Sequence, residues 1–167
     1  MTRTIVVALL CSFFAPSLAL AVDSRKAAYF GGTVATFNGA KSPVEGTLDT
    51  TNDTTLGFTA EDKPFVGQSL SIPYAKITDL EYGQKAGRRV GAAIGTTILL
   101  GPIGLLTLLS KKKNHYLTIS FKDADDKDQL AVMELGKDIV RTTVPIVETR
   151  SGKKVQYQDD EAKKSVK

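Results

Sequence analysis

The chain has 167 residues, with 22 Lys and Arg against 18 Asp and Glu, one His and one Cys, and a formal charge of +4. That balance is only mildly basic and lacks the strong cationic signature of a nucleic-acid binder. A single cysteine excludes a disulfide framework, and the length suits one domain with a core of its own.

The N-terminus is read first, because a targeting segment does not belong to the fold. "MTRTIVVALLCSFFAPSLALAVD" opens with Arg3, continues with an apolar run from Ile5 to Phe14, and ends in Ala19-Leu20-Ala21. This is the pattern of a secretory signal peptide cut after Ala21. Residues 1–21 are therefore assigned to a signal peptide, and the protein to the periplasm or an extracytoplasmic membrane surface. Cys11 is not preceded by the small residue that lipidation needs, and it leaves with the leader. The chain that remains carries no thiol and, with only Arg3 lost, a charge of +3.

Strand signals dominate the first half. "YFGGTVATF" (Tyr29–Phe37) is rich in β-branched and aromatic residues, and its glycine pair marks a bulge or a close backbone approach. "VEGTLDT" (Val44–Thr50), the turn "TNDT" (Thr51–Thr54) and "TLGFTA" (Thr55–Ala60) form a hairpin. "SLSIPYAKITDLEY" (Ser69–Tyr82) alternates, breaks at Pro73 and resumes at Ile77. Proline has no N–H for a ladder, so Pro73 belongs at an edge or a strand break.

"GRRVGAAIGTTILLGPIGLLTLLSKKK" (Gly87–Lys113) then interrupts the pattern. The 21 residues Val90–Ser110 carry no charge, and they include four glycines and Pro102. About 20 apolar residues are enough to span a bilayer. A single span, however, would put strands of one sheet on opposite sides of a membrane. Arg88 and Arg89 before the run and Lys111, Lys112 and Lys113 after it also give no charge bias to orient a span. Gly101-Pro102 divides the run into two arms of about ten residues. As helix each would reach about 15 Å, short of the hydrocarbon thickness of about 30 Å. The segment reads as a helical hairpin inserted between two strands. Ile98, Leu99, Leu100, Ile103, Leu105, Leu106, Leu108 and Leu109 are the candidate membrane contacts, and the five cations the candidate anionic-lipid contacts. Gly87, Gly91 and Gly95 form a G-x-x-x-G-x-x-x-G face suited to close helix packing. A hairpin folded back on its own domain, or against a second copy, would satisfy the same leucines.

After the insertion, "HYLTISFKD" (His115–Asp123) alternates, "ADDKD" (Ala124–Asp128) turns, and "QLAVMEL" (Gln129–Leu135) returns as a strand. In "KDIVRTTVPIVETRSG" (Lys137–Gly152), Val140, Val144 and Val147 fall on one helical face. Asp138 suits the first turn and Gly152 the stop, while Pro145 is expected to kink or shorten the helix. The charged residues 158–167 are expected to be a disordered tail.

Catalytic patterns are weak. His115, the only histidine, follows three lysines as an edge or surface residue. No G-x-S-x-G occurs. "DADDKD" (Asp123–Asp128) fails as an EF-hand loop, because Lys127 and Asp128 stand where an acid or amide and then glycine are needed. No catalytic residue, metal site or cofactor is assigned.

The strand–strand–helix ending, together with "GTLDTTNDTTLGF" (Gly46–Phe58) and "SLSIPYAKITDLE" (Ser69–Glu81), resembles the pleckstrin-homology (PH) superfold, in particular its GRAM-type branch. The matching positions are Gly46, Leu48, Thr51, Asn52, Leu56, Phe58, Ile72, Pro73 and Ile77. The resemblance implies a lipid- or peptide-binding module without catalysis. Export and the long apolar insert depart from the familiar pattern, so no phosphoinositide-binding residues are carried over.

The expected architecture is α+β: a small antiparallel PH-like barrel or sandwich closed by a C-terminal helix. Its domain spans residues 22–157, with the apolar insertion at 84–113. The expected function is peripheral membrane association through that insertion. The alternative is a protein-interaction or self-assembly module, a homo-oligomer included, that uses the glycine face.

Overall fold

A computed structural model describes residues 26–84 and 114–166. The fold is α+β, a strongly curled eight-stranded sheet with helices near the C-terminus. The strands are β1 (Ala27–Gly32), β2 (Val44–Asp49), β3 (Thr55–Ala60), β4 (Ser69–Pro73), β5 (Ile77–Gly83), β6 (His115–Lys122), β7 (Asp128–Leu135) and β8 (Val155–Tyr157). Their order across the sheet is β4-β3-β2-β1-β7-β6-β5-β8. Helix α1 (Lys137–Ser151) precedes β8, and α2 (Asp160–Val166) follows it.

The curl has local causes. The register of β1 against β7 shifts between Tyr29 and Gly31, and that of β5 against β6 shifts between Ile77 and Asp79. Each shift is a bulge, which bends a strand and increases its twist. The glycine pair read from the sequence lies at the first bulge. Gly32 holds φ +139°, and a Cβ there would lie 2.1 Å from the Leu130 carbonyl oxygen. Only glycine permits that approach. Beyond it the strand stops, and Ala35–Phe37 forms a 3-10 turn that sends Phe37 into the core.

Alternation then builds the interior. Leu56 and Phe58, Leu70 and Ile72, Leu80 and Tyr82, and Leu117, Ile119 and Phe121 all point to one side of the sheet and belong to one core cluster. Helix α1 lies on that side through Val140, Val144 and Val147, the stripe read from the sequence. It runs unbroken through Pro145, an exposed position. The proline removes one N–H on the face turned to water, where the freed carbonyl can be solvated. Gly152 ends the helix at φ +67°. Arg150 fastens this end: its guanidinium donates to the carbonyls of Thr50 and Asn52, pairs with Asp53, and stands 5.5 Å from the Tyr74 ring centroid.

Two expectations are corrected here. The sheet is mixed, because β8 pairs parallel to β5, Leu80 against Val155 and Tyr82 against Tyr157. The described part of the charged tail is ordered, because it holds an apolar pair at helical spacing. Asp159 Oδ1 accepts the Ala162 N–H at 2.8 Å as an N-cap, and Ala162 and Val166 enter the core. The apolar insertion lies outside the described residues. No helix among the described residues is long and apolar enough to cross a membrane.

Candidate functional site

All of the candidate site residues read from the sequence lie outside the described residues: Ile98, Leu99, Leu100, Ile103, Leu105, Leu106, Leu108 and Leu109, the cations Arg88, Arg89 and Lys111–Lys113, and Gly87, Gly91 and Gly95. The structure instead fixes the ends to which that segment is tied. Gly83 at the end of β5 pairs in register with Tyr116 near the start of β6. The segment therefore leaves from and returns to adjacent strands, at one end of the sheet.

At that end the sheet has an unusual outer surface. On β2, β3 and β4 the side chains opposite the core are the expected polar set, with Thr47, Asp49, Thr59, Ser69 and Ser71 all exposed. On β1, β7, β6 and β5 the same surface is buried. Ala28 and Val132 are 0 % exposed, Leu130 1 %, Phe30 3 % and Tyr116 4 %, with Thr118, Ser120, Glu81 and Glu134 all below 9 %. These residues are outer by register: Ala28 faces Glu134, Tyr116 faces Glu134, and Thr118 faces Val132. The apolar members, among them Phe30 edge-on to Tyr116 at 5.1 Å, stand apart from the core cluster. Both helices lie on the other side, since Val140, Val144, Val147, Ala162 and Val166 all belong to that cluster. A sheet with one wet half and one half buried on both faces carries a second apolar layer.

Two acids, Glu81 and Glu134, sit within it. Burial, and next the charge of Glu45, push the Glu134 carboxyl up to about 7, against a hydrogen bond with Tyr116 that lowers it. Burial and the Glu134 charge push the Tyr116 hydroxyl up to about 12. That hydroxyl also accepts from Asn114 Nδ2 at 3.2 Å. A carboxyl that keeps its proton up to about pH 7 is more compatible with an apolar surface than one ionised from about 4.5, because an ionised carboxylate is costly there.

On the inner side of the same strand ends, the Tyr82 hydroxyl lies 2.6 Å from His115 Nδ1 and 2.9 Å from Ser165 Oγ. Ser165 Oγ donates to the Ala162 carbonyl at 2.7 Å. Each hydroxyl has one hydrogen, so the chain runs from His115 Nδ1–H to Tyr82, from Tyr82 to Ser165, and from Ser165 to Ala162. Burial, and then the charge of Lys137, lower the His115 pKa, which favours the neutral ring. The Ser165 proton is committed to a backbone carbonyl, so the histidine does not activate it. The triad pins α2 to β5 and β6 where the apolar segment is attached. The sequence showed His115 only as an edge residue; its partners come from 33 and 50 positions away.

A cavity of about 380 Å³ opens at the other end of the sheet, among Val34, Leu70, Pro73 and Phe121, with Lys76 and Lys122 beside them. Lys76 pairs with Asp126 at 2.6 Å and Lys122 with Asp128 at 2.7 Å. The Asp123 carboxylate is engaged by the N–H groups of Asp125 and Lys127 and by Gln129. These charges serve the β6–β7 turn. Among the described residues no cluster of three His, Cys, Asp or Glu side chains is placed to hold a metal ion.

No family model, curated protein or solved structure matches this chain.

Proposed function

We propose that this protein is an exported, non-enzymatic PH-like module of GRAM type that associates peripherally with a membrane through its apolar segment. The observation that carries the reading is the attachment. Gly83 and Tyr116 are paired neighbours, so the charge-free run Val90–Ser110 starts and finishes on one side of one rigid sheet. Basic residues flank both ends. That arrangement suits shallow entry from one face of a bilayer, with Arg88, Arg89 and Lys111–Lys113 at the headgroups and the leucines among the acyl chains. Supporting the PH-like assignment are strands β1 to β7, antiparallel wherever they pair, followed by a helix that fills the inner side. On this reading β8 and α2 are additions.

Co-sedimentation of residues 22–167 with anionic vesicles tests the proposal. The chain is expected to bind, and replacement of residues 90–110 by a short polar linker to abolish binding. Changing the five flanking cations to Gln is expected to weaken binding at least about 100-fold at low salt, since each cation near an anionic surface contributes about 1 kcal/mol. Equal binding by all three chains removes the reading. A detergent-independent oligomer that disappears in Gly91→Leu would instead mark the segment as a packing surface for a second copy.

A further inference from the structure

Strand β4 is a sheet edge, and among the described residues only β3 pairs with it. The register sets Leu70 opposite Phe58 and Ile72 opposite Leu56, and bonds from Ala60 N–H to the Gln68 carbonyl and from Tyr74 N–H to the Thr54 carbonyl flank those pairs. Hydrogen-bonded pairs alternate along an antiparallel ladder. Gln68, Leu70, Ile72 and Tyr74 therefore bond toward β3, and the N–H and C=O groups of Ser69 and Ser71 face the open side. Both serines are exposed. Pro73 ends the edge, and the 3-10 turn Tyr74–Lys76 carries the chain to β5, which pairs with β6 and β8 rather than β4. The curled sheet stays open along this seam. The cavity of about 380 Å³ lies there, with Ser71 and Pro73 of β4 and Phe121 and Ala124 of β6 and its turn among its walls. Val34, Leu70 and Phe121 also line it, and these core residues keep 9, 8 and 5 % exposure. The nearby charges are committed. Lys76, Lys122 and Lys127 pair with Asp126, Asp128 and Asp125, while amides hold the Asp123 carboxylate. The seam thus offers an apolar hollow, a row of backbone donors and acceptors beside it, and one surplus negative charge.

We propose that this edge binds an extended peptide segment of a partner protein, antiparallel to β4, with one aliphatic side chain in the cavity and a lysine or arginine on either flank. Main-chain bonds to a sheet edge give affinity, and a pocket beside the edge gives selectivity. The peptide residues opposite Ser69 and Ser71 exchange N–H and C=O bonds with them, and the residue between lies opposite Leu70. Opposite residues of an antiparallel pair point to the same face. That side chain therefore turns inward with Leu70, toward the cavity. A small apolar molecule would fill the hollow and leave Ser69 and Ser71 unmatched; a strand satisfies both. Flanking cations match the surplus charge of Asp123. The cavity is at the end of the sheet away from Gly83 and Tyr116, so the inference does not depend on the membrane reading.

Fluorescence anisotropy with the labelled peptide Thr-Lys-Thr-Leu-Thr-Lys-Thr tests this, using the full chain without vesicles. The peptide is expected to bind. Changing its leucine to asparagine, or N-methylating the two threonines beside the leucine, should weaken binding at least about 10-fold, through the lost apolar burial or the lost N–H donors. Exchanging its lysines for glutamate should weaken binding at low salt. Ser71→Pro removes an outward N–H without touching the ladder to β3, and Ala124→Trp fills the cavity from an exposed position. Each should weaken binding by a similar factor and leave the urea midpoint unchanged. Should Ser71→Pro disturb folding, the N-methylated peptide makes the same test from the ligand's side. With peptide bound, hydrogen exchange at the Ser69 and Ser71 amides should slow. No saturable binding below about 1 mM overturns the proposal. So does equal binding of the leucine and asparagine peptides, binding that survives N-methylation, or unchanged exchange at Ser69 and Ser71. A dimer that forms without peptide and dissociates in Ser71→Pro assigns the edge to a second copy and overturns it as well.

Discussion

Glu134 shows how one residue reports on the second apolar layer. Its carboxyl is held at about 7, above the ordinary 4.5, mainly by burial. The folded state therefore binds a proton more tightly than the unfolded chain. Stability is full below about pH 4.5 and is lost as pH rises through about 7. The shift corresponds to about 3 kcal/mol as an order of magnitude. Glu134→Gln, which cannot ionise, should lose this dependence. In urea unfolding, the gap between variant and wild type should grow by about 3 kcal/mol in the variant's favour from pH 4 to pH 8. A constant gap would mean that the carboxyl is solvated and the surface around it uncovered.

At the scale of elements, α1 is held by its valine stripe along one side and by Arg150 at its end. Arg150→Ala should destabilise the fold by about 2 kcal/mol, because it removes charge-assisted bonds to the Thr50 and Asn52 carbonyls and the stacking on Tyr74. Arg150→Lys should recover only part of that loss in thermal or urea unfolding, since an ammonium cannot reproduce the planar fork. Much of this level was legible in the sequence. Period-two alternation placed β2 through β6, and Val140, Val144 and Val147 placed the inner face of α1. Pro145 was misleading because its effect depends on which face it occupies, and the exposed face tolerates it. Strand β8 and helix α2 were hidden inside a charged, lysine-rich stretch. Val155 and the pair Ala162 and Val166 carry too little apolar signal to stand out, and they are ordered by contacts with residues far away in sequence. The second apolar layer did leave a trace: Leu130-Ala131-Val132-Met133 is a continuous apolar run, as a strand covered on both faces should be. Tyr116, Thr118 and Ser120 looked like a solvated face because their chemistry is ambivalent. Only their burial shows otherwise.

At the scale of the molecule, the sheet is divided by environment. One half carries threonine, serine and aspartate into water, and the other is buried on both faces. The four large apolar side chains of the outer layer are each worth about 1.5–3 kcal/mol in burial, a substantial part of the 5–15 kcal/mol that holds a typical domain together. What the leucines of the apolar segment touch decides the account. The most direct measurement is an environment-sensitive fluorophore on Leu105→Cys, in the chain without residues 1–21, which has no other cysteine, titrated with anionic vesicles that carry a quencher at shallow acyl depth. The account predicts a blue shift on vesicle addition and strong quenching by the shallow label. An emission spectrum unchanged by vesicles would contradict it.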